Sequence, residues 1–292
     1  MKRIAAFLLI SLVLSALLTV SAGAAGTVDL SHIRQNERGA GYYWDNINDT
    51  LNLKNTNLIT DDDFGFKLPA GATVVVEGNC RVRAGRFGIS CLGSVTFKGT
   101  GTLTVEGGEC GMYFYSTNRD HKILFLSGEY DVRGGECGIR SDGAEISICG
   151  GKARFEGPDA MAGVEITISG CDCETAGRIF ASHRITVSGA NLSASAENGP
   201  ALVSDGRIEI VSERIETGDP LNAVDEYGGE SRVTFTSTYK RVRTSMLFGG
   251  SVPGFVDVIV FAAAGLAAVA AVAVPVAVKT VRKKRLLKKL GE

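Results

Sequence analysis

The chain has 292 residues, 45% of them hydrophobic, with 31 Lys and Arg residues against 32 Asp and Glu residues. That length allows one large domain or two small ones. Nine of the basic residues but only two of the acidic ones lie in residues 1–25 and 251–292, so the segment between them carries an excess of negative charge. This excess argues against nucleic acid or a long anionic polymer as the default partner, and it allows calcium sites or a cationic partner.

Residues 1–25 have the pattern of a secretory signal peptide. Lys2 and Arg3 are followed by an apolar run over residues 4–20, and the small residues Ala22 and Ala24 offer cleavage positions. A positive start, an apolar stretch and small residues at the cleavage site define such a signal. The alternative interpretation of this segment is a first transmembrane helix.

Residues 26–50 precede a series of repeats and are predicted to form an N-terminal cap. Solenoids need their end turns covered, because an open end leaves core side chains in water. Tyr42, Tyr43 and Trp44 supply large side chains that could close the lower end of such a core.

Residues 51–238 repeat a short apolar pattern about every 22 residues. Each repeat contains an apolar-x-apolar pair flanked by two further short alternating segments, so it holds three short strands. Strands this short become stable only when successive turns stack, which predicts an all-β parallel β-helix of about nine turns. The usual chirality of parallel crossovers makes it right-handed. The pairs are Leu51/Leu53, Val74/Val76, Val95/Phe97, Leu124/Leu126, Ile146/Ile148, Ile166/Ile168, Ile185/Val187, Ile208/Ile210 and Val233/Phe235.

Alternation within each strand predicts which side chains face the core. The pairs are expected to point inward, which places Leu124 and Leu126 inside the solenoid and Phe125 outside. In the strand after each pair, one outward column is expected to alternate in charge, since opposite charges on neighbouring strands attract each other. That column consists of Arg83, Glu106, Arg133 and Glu156.

Seven cysteines are present, and their odd number leaves at least one of them without a partner in the chain. The same register places Cys80, Cys110, Cys137 and Cys173 inward, where a thiol packs as a small hydrophobe. Cys110 and Cys137 occupy equivalent positions on adjacent turns. Strands about 4.8 Å apart would allow a disulfide between them.

One carboxylate triplet is a candidate metal site. Asp61, Asp62 and Asp63 lie together at a predicted corner, and carboxylate oxygens are the ligands that calcium prefers. Calcium is the one cofactor that the sequence suggests. The alternative is that the triplet is an ordinary solvated turn.

The longest repeat offers candidate ligand-binding residues. It spans 29 residues and carries Arg119 and His121 in its extra length, and insertions in solenoids tend to lie on the binding face. Tyr113, Tyr115 and Phe125 surround the insertion and could contact a ligand. The alternative is that these rings pack the insertion onto the solenoid. The sequence contains no nucleophile motif, phosphate loop or dinucleotide fingerprint.

The C-terminal part is predicted to anchor the protein in a membrane. Residues 239–255 form a linker in this interpretation, and residues 256–278 form a transmembrane helix whose apolar run is long enough to span a bilayer. Residues 279–292 contain seven Lys or Arg residues and are expected to remain in the cytoplasm, in contact with anionic lipid. The body would then be extracellular and the chain would cross the membrane once.

Residues 41–78 resemble a known class of surface proteins. The segment GYYWDNINDTLNLKNTNLITDDDFGFKLPAGATVVVEG contains G-x-x-WD, then T-L-x-L, then a G-[IF]-x-[LV]-P-x-G-[AS]-x-[VI] turn. It is similar to pectate-lyase-like β-helix surface proteins of Gram-positive, often clostridial, bacteria, some of which are described as carbohydrate-binding domain proteins. The resemblance implies a cell-surface role with glycan as a ligand. The resemblance identifies no catalytic residues in this chain, and the sequence lacks the LPxTG-type sorting signal.

These observations predict a non-enzymatic module for surface recognition or adhesion, with a polysaccharide or a surface protein as its partner. A calcium-dependent polysaccharide lyase is the first alternative, because a lyase needs carboxylates for calcium and a basic group for the proton. A structural spacer that binds no ligand is the second.

Overall fold

The computed structural model of the chain describes residues 26–211, 214–220, 225–227, 232–235 and 239–245. The regular secondary structure in these residues is entirely β, as the sequence predicts. The strands are β1 (Val28–Asp29), β2 (Glu37–Gly39), β3 (Tyr42–Asp45), β4 (Thr50–Lys54), β5 (Asn57–Ile59), β6 (Phe64–Leu68), β7 (Ala72–Glu77), β8 (Asn79–Ala84), β9 (Phe87–Cys91), β10 (Val95–Gly99), β11 (Thr102–Gly107), β12 (Cys110–Phe114), β13 (Lys122–Phe125), β14 (Glu129–Gly134), β15 (Cys137–Ser141), β16 (Glu145–Ile148), β17 (Lys152–Ser169), β18 (Asp172–Ser188), β19 (Asn191–Ser195), β20 (Leu202–Ser204), β21 (Arg207–Val211), β22 (Arg214–Pro220), β23 (Asp225–Tyr227), β24 (Arg232–Phe235) and β25 (Tyr239–Ser245).

The strands form a solenoid with three parallel sheets, because each strand pairs with its equivalent one turn later. The long strands β17 and β18 contribute to all three sheets. Sheet A contains β4, β7, β10, β13, β16, β21 and the last parts of β17 and β18. Sheet B contains β5, β8, β11, β14, β19 and the first parts of β17 and β18. Sheet C contains β1, β6, β9, β12, β15, β20 and the middle parts of β17 and β18.

The solenoid has about seven turns rather than the nine that the sequence predicts. Part of the difference lies at the upper end, where β24 contains Val233 and Phe235 but pairs antiparallel with β21. An antiparallel strand reverses direction, so it cannot be a further turn of the parallel repeat. Residues 239–245 also depart from the sequence prediction, because they form β25 and pair antiparallel with β19 instead of beginning a linker.

Short antiparallel segments cover parts of both ends of the solenoid. At the lower end, β2 and β3 form a hairpin and β3 pairs antiparallel with β4, while β1 pairs parallel with β6. Trp44 on β3 is fully buried, so it closes the core from below as the sequence suggests. At the upper end, β24 covers sheet A and β25 covers sheet B, with β23 and β22 pairing onto them.

The core consists of apolar columns that run from turn to turn. From Ile146 upward, the predicted inward pairs stack in the predicted register on sheet A. In the turn below, Ile123 and Phe125 face the core, while Leu126 is 45% exposed. The prediction that Phe125 faces outward is therefore wrong. Its ring stacks on that of Phe97 with centroids 4.7 Å apart. This contact would be lost if Phe125 faced outward.

The alternating charges on sheet B lie in the predicted register. Glu106 is the Cα partner of both Arg83 and Arg133, and Arg133 is the partner of Glu156. The Nε of Arg133 lies 3.7 Å from a carboxylate oxygen of Glu156. Exposed pairs of this kind contribute little each, at about 0–1 kcal/mol, but they disfavour a shift of one strand past the next.

Among residues 26–245, as far as they are described, no helix is long and apolar enough to cross a membrane. The predicted signal peptide, the predicted transmembrane helix and the basic tail lie outside the described residues.

Candidate functional site

The outer side of sheet C carries an unusual column of apolar side chains. Phe64, Phe87, Cys110 and Cys137 occupy the same position on successive turns. A glycine follows each of them in the sequence. A Cβ on Gly111 would lie 2.6 Å from a methyl group of Val132 in the core, so this position points inward and leaves no room for a side chain.

The glycines explain why the preceding residues face outward. The strand is irregular there, because Met112, two residues after Cys110, lies in the main core. Cys110 and Cys137 instead pack with Phe87 in a separate small cluster. The prediction that both thiols face the core is therefore wrong. The pair is joined by a disulfide, with Cα atoms 4.6 Å apart.

Aromatic side chains extend this column into a surface that we call the aromatic face: Phe64, Phe87 and Tyr113, whose rings form a stack, and Tyr115, two residues after Tyr113. The rings of Phe64 and Phe87 have centroids 5.4 Å apart, and those of Phe87 and Tyr113 stack at 4.9 Å. Arg86 lies over the Phe87 ring at 4.9 Å, and Lys67 over the Phe64 ring at 5.3 Å. Cations above the rings show that this stack borders solvent rather than the core.

A fixed polar group lies beside Tyr113. Its hydroxyl donates to an Asp142 carboxylate oxygen at 2.8 Å, and the Nε of Arg140 donates to the other oxygen at 2.8 Å. Partial burial, followed by the hydrogen bond to Asp142, raises the pKa of Tyr113 to about 12. The phenol is therefore neutral at physiological pH, and the Asp142 carboxylate is held in one orientation.

The most exposed part of the aromatic face is at the ends of β9 and β12. Tyr115 is 47% exposed and Leu92 is 59% exposed. The two are neighbours on adjacent turns, because the backbone N–H of Tyr115 donates to the carbonyl of Cys91 at 3.1 Å. An accessible ring beside an accessible aliphatic side chain is a contact surface for an apolar part of a ligand.

The insertion that carries Arg119 and His121 follows directly after Tyr115. His121 Nδ1 lies 2.7 Å from the hydroxyl of Ser116, which also accepts from the backbone N–H of Asn118. Ser116 is buried, so its hydroxyl holds the loop together and is not presented to solvent. Arg119 is exposed. Tyr113, Tyr115, Arg119 and His121 therefore lie on one continuous stretch, and Phe125 is absent from it because it is in the core.

Two of the three carboxylates in the Asp61–Asp63 triplet contact other parts of the chain. Asp62 accepts from the backbone N–H of Thr27 at 2.9 Å and from its hydroxyl. Asp63 lies 3.8 Å from Arg86. Within the described residues, no three His, Cys, Asp or Glu side chains lie together in a group that could hold a metal ion. Calcium binding at this triplet stays a prediction.

Three of the other described thiols are not presented as nucleophiles. Burial raises the pKa of Cys91 and of Cys171 to about 12. Burial also raises the pKa of Cys173 well above its usual value. Because the thiolate is the reactive and metal-binding form, these groups behave as small apolar side chains.

Sequence reasoning missed Phe64, Phe87, Leu92 and Asp142. The signal was present, since the repeated FG and CG dipeptides mark this position on four successive turns. Strict alternation assigns the residue before the glycine to the core, and only the irregular strand at the glycine reverses that assignment.

Comparison of the chain with protein-family models, with curated proteins and with solved structures finds no significant match. The aromatic face is therefore interpreted from its own geometry.

Proposed function

We propose that this protein is a non-enzymatic surface recognition module that binds carbohydrate through the aromatic face. The observation that carries the proposal is the exposed ring of Tyr115 beside Leu92, two residues along the chain from Tyr113 of the Tyr113–Asp142–Arg140 hydrogen-bonded group. Sugars present apolar C–H faces edged by hydroxyls. A ring next to oriented hydrogen-bonding groups fits both features.

A rigid scaffold supports this interpretation. The aromatic face lies on strands of a stacked sheet and is tied across two turns by the Cys110–Cys137 disulfide. A preordered surface loses little conformational entropy when a ligand binds, and this favours affinity from a shallow contact.

In this proposal the chain is a β-helix surface protein similar to the pectate-lyase-like group of Gram-positive bacteria. A signal peptide over residues 1–25 directs its secretion. A helix over residues 256–278 and the basic residues 279–292 hold it in the cell membrane with its body outside. The apolar length and the basic flank of this segment support the anchor.

The experiment uses the full chain purified in detergent and a panel of neutral and acidic polysaccharides, with and without calcium. Retention on each polymer and the ultraviolet absorbance of unsaturated uronate are followed together. We expect retention without product. Tyr115→Ala should weaken retention by roughly tenfold, the effect of losing about 1.4 kcal/mol of contact energy.

Ile47→Ala is the matched control, because Ile47 is an exposed apolar residue on the cap, at 84% exposure, and lies outside the aromatic face. Formation of unsaturated product would overturn the proposal in favour of a lyase. Retention on none of the polymers would leave the spacer as the better interpretation. Retention that is lost on calcium removal would assign a role to the Asp61–Asp63 triplet.

A further inference from the structure

A second groove lies on the outer side of the lower end of sheet A, away from the aromatic face. It has a volume of about 340 Å³ and lies where the cap hairpin joins the first turns. Arg38, Tyr43, Asn52 and Val75 occupy paired positions on the four neighbouring strands β2, β3, β4 and β7. They line the groove together with Lys54 and Glu77.

Arg38 differs from most described arginines in what it contacts. Its guanidinium lies over the ring of Tyr43 at 5.2 Å. Among the residues that the structure describes, no carboxylate lies within ion-pairing distance of it. By contrast, Arg81, Arg86 and Arg140 each have a carboxylate oxygen within 3.1 Å.

Stacking on a ring positions a guanidinium without using its N–H groups. The guanidinium carbon of Arg38 lies over the Tyr43 ring, and this contact uses none of the five N–H donors. Because no carboxylate among the described residues pairs with Arg38, these donors are available to a ligand in the groove. A planar fork of donors matches a carboxylate, which it binds through two parallel hydrogen bonds.

The remaining lining is nearly balanced in charge. Lys54 pairs with Glu77 at 3.2 Å, which leaves the positive charge of Arg38 uncompensated. The side-chain amide of Asn52 reaches the carbonyl of Tyr43 at 3.4 Å, a long contact that a ligand hydroxyl could replace. One positive charge beside an amide and a ring fits a single anionic group on a polar ring.

We propose that this groove binds the carboxylate of a sugar acid, with Arg38 as the carboxylate ligand, Tyr43 as its support and Asn52 as a partner for a hydroxyl. The excess of acidic residues in the body disfavours a long polyanion. The ligand is therefore a short uronate oligomer or a terminal acidic sugar. This site is separate from the aromatic face and does not depend on the function proposed for it.

The test measures binding of trigalacturonate to the full chain in detergent by calorimetry, with a neutral trisaccharide and inorganic phosphate as comparison ligands. Trigalacturonate should bind and the neutral trisaccharide should not. Arg38→Gln should lower the affinity by at least tenfold. Arg38→Lys should recover only part of that loss, because a lysine keeps the charge but lacks the planar fork.

Arg34→Gln is the matched control, since Arg34 is an exposed arginine of the same cap that does not line the groove. The emission of Trp44, the only tryptophan in the chain, checks that each variant keeps a folded cap. Equal losses for Arg34→Gln and Arg38→Gln would overturn the site in favour of a general charge effect. Phosphate binding as tight as trigalacturonate would overturn the carboxylate assignment. Absence of trigalacturonate binding would overturn the proposal, whatever the aromatic face binds.

Discussion

Glu145 shows how a single polar side chain can connect strands of sheet A. One carboxylate oxygen accepts from the hydroxyls of Ser147 at 2.6 Å and Thr167 at 3.0 Å, and the other lies 3.0 Å from the ammonium of Lys122. Burial raises the pKa of Glu145, but the hydrogen bonds from Ser147, Lys122 and Thr167 outweigh it and lower the pKa below its usual value. Folding therefore favours the ionised form of this group.

This shift predicts a pH-dependent contribution to stability. A folded-state pKa below the unfolded value, about 4.3, gives a stabilisation that is complete above pH 4.3 and is lost as the pH falls through the folded value. Glu145→Gln should lower the free energy of unfolding by about 1–2 kcal/mol at pH 7 and by less near pH 3. Urea unfolding at both pH values measures the difference. Glu129→Gln is the control, because Glu129 is 54% exposed and its contacts are long, an ion pair with Lys152 at 3.6 Å and a hydrogen bond from the Thr102 hydroxyl at 3.4 Å. An equal loss at pH 3 and pH 7 would contradict the argument.

At the scale of the strand, a glycine on each of four turns, at positions 65, 88, 111 and 138, determines which side of sheet C the preceding residue faces. On these turns the residue before the glycine packs outside the main core and the glycine packs against the core, as at Cys110 and Gly111. A side chain in place of Gly111 would collide with Val132, so the backbone there would have to move. The aromatic face and the disulfide both exist because these strands depart from strict alternation.

The disulfide itself should stabilise the middle turns of the solenoid. It links residues 27 apart in sequence, and closing a loop of that size reduces the entropy of the unfolded chain. Replacing Cys110 and Cys137 with serine should lower the free energy of unfolding by about 2–4 kcal/mol. Urea unfolding with and without dithiothreitol measures this loss of stability. Reductant should shift the midpoint of the wild-type protein and leave that of the double variant unchanged. A wild-type midpoint that stays the same after confirmed reduction would show that the bridge adds nothing.

At the scale of the whole solenoid, stability should depend on contacts between neighbouring turns. In repeat proteins each turn contacts only its neighbours, so damage at one end affects that end first. Trp44→Ala removes a fully buried ring from the cap and should cost about 3–5 kcal/mol. Hydrogen exchange should quicken most in β4 and β7 and least in β18 and β21.

Ile210→Ala gives the mirror-image control, because Ile210 is fully buried on the last parallel strand of sheet A. It should quicken exchange at the upper end and spare the lower turns. Uniform loss of protection in either variant would show that the solenoid unfolds as one unit, contrary to the nearest-neighbour description.

The repeat could be predicted from the sequence because the apolar-x-apolar pattern recurs many times. The register from Ile146 upward and the charge column on sheet B follow from alternation and from opposite charges. The turn around Phe125 could not be resolved, since four apolar residues in a row at 123–126 allow either set to face inward. Packing against Phe97 decides between them, and that contact is 28 residues away in sequence.

The candidate site was predictable only in part. Tyr113, Tyr115 and the inserted loop were found because aromatic residues and extra length are visible in a sequence. Phe64 and Phe87 were missed because their outward orientation depends on an irregularity of the strand at the following glycine, which simple alternation does not predict. Arg38 was missed for a different reason: its lack of a carboxylate partner is a property of three-dimensional pairing, which composition does not reveal.

The antiparallel strands at the two ends of sheet A have a consequence for self-association. A parallel ladder that adds one identical rung per turn could in principle continue from one molecule into the next and grow as a fibre. In sheet A, β3 lies below the first rung and β24 above the last, both running against the repeat. Neither end of sheet A offers a rung on which a second copy could continue the same register. Reversing the chain direction at both ends thus stops the ladder of sheet A within a single molecule, so this sheet does not template its own extension.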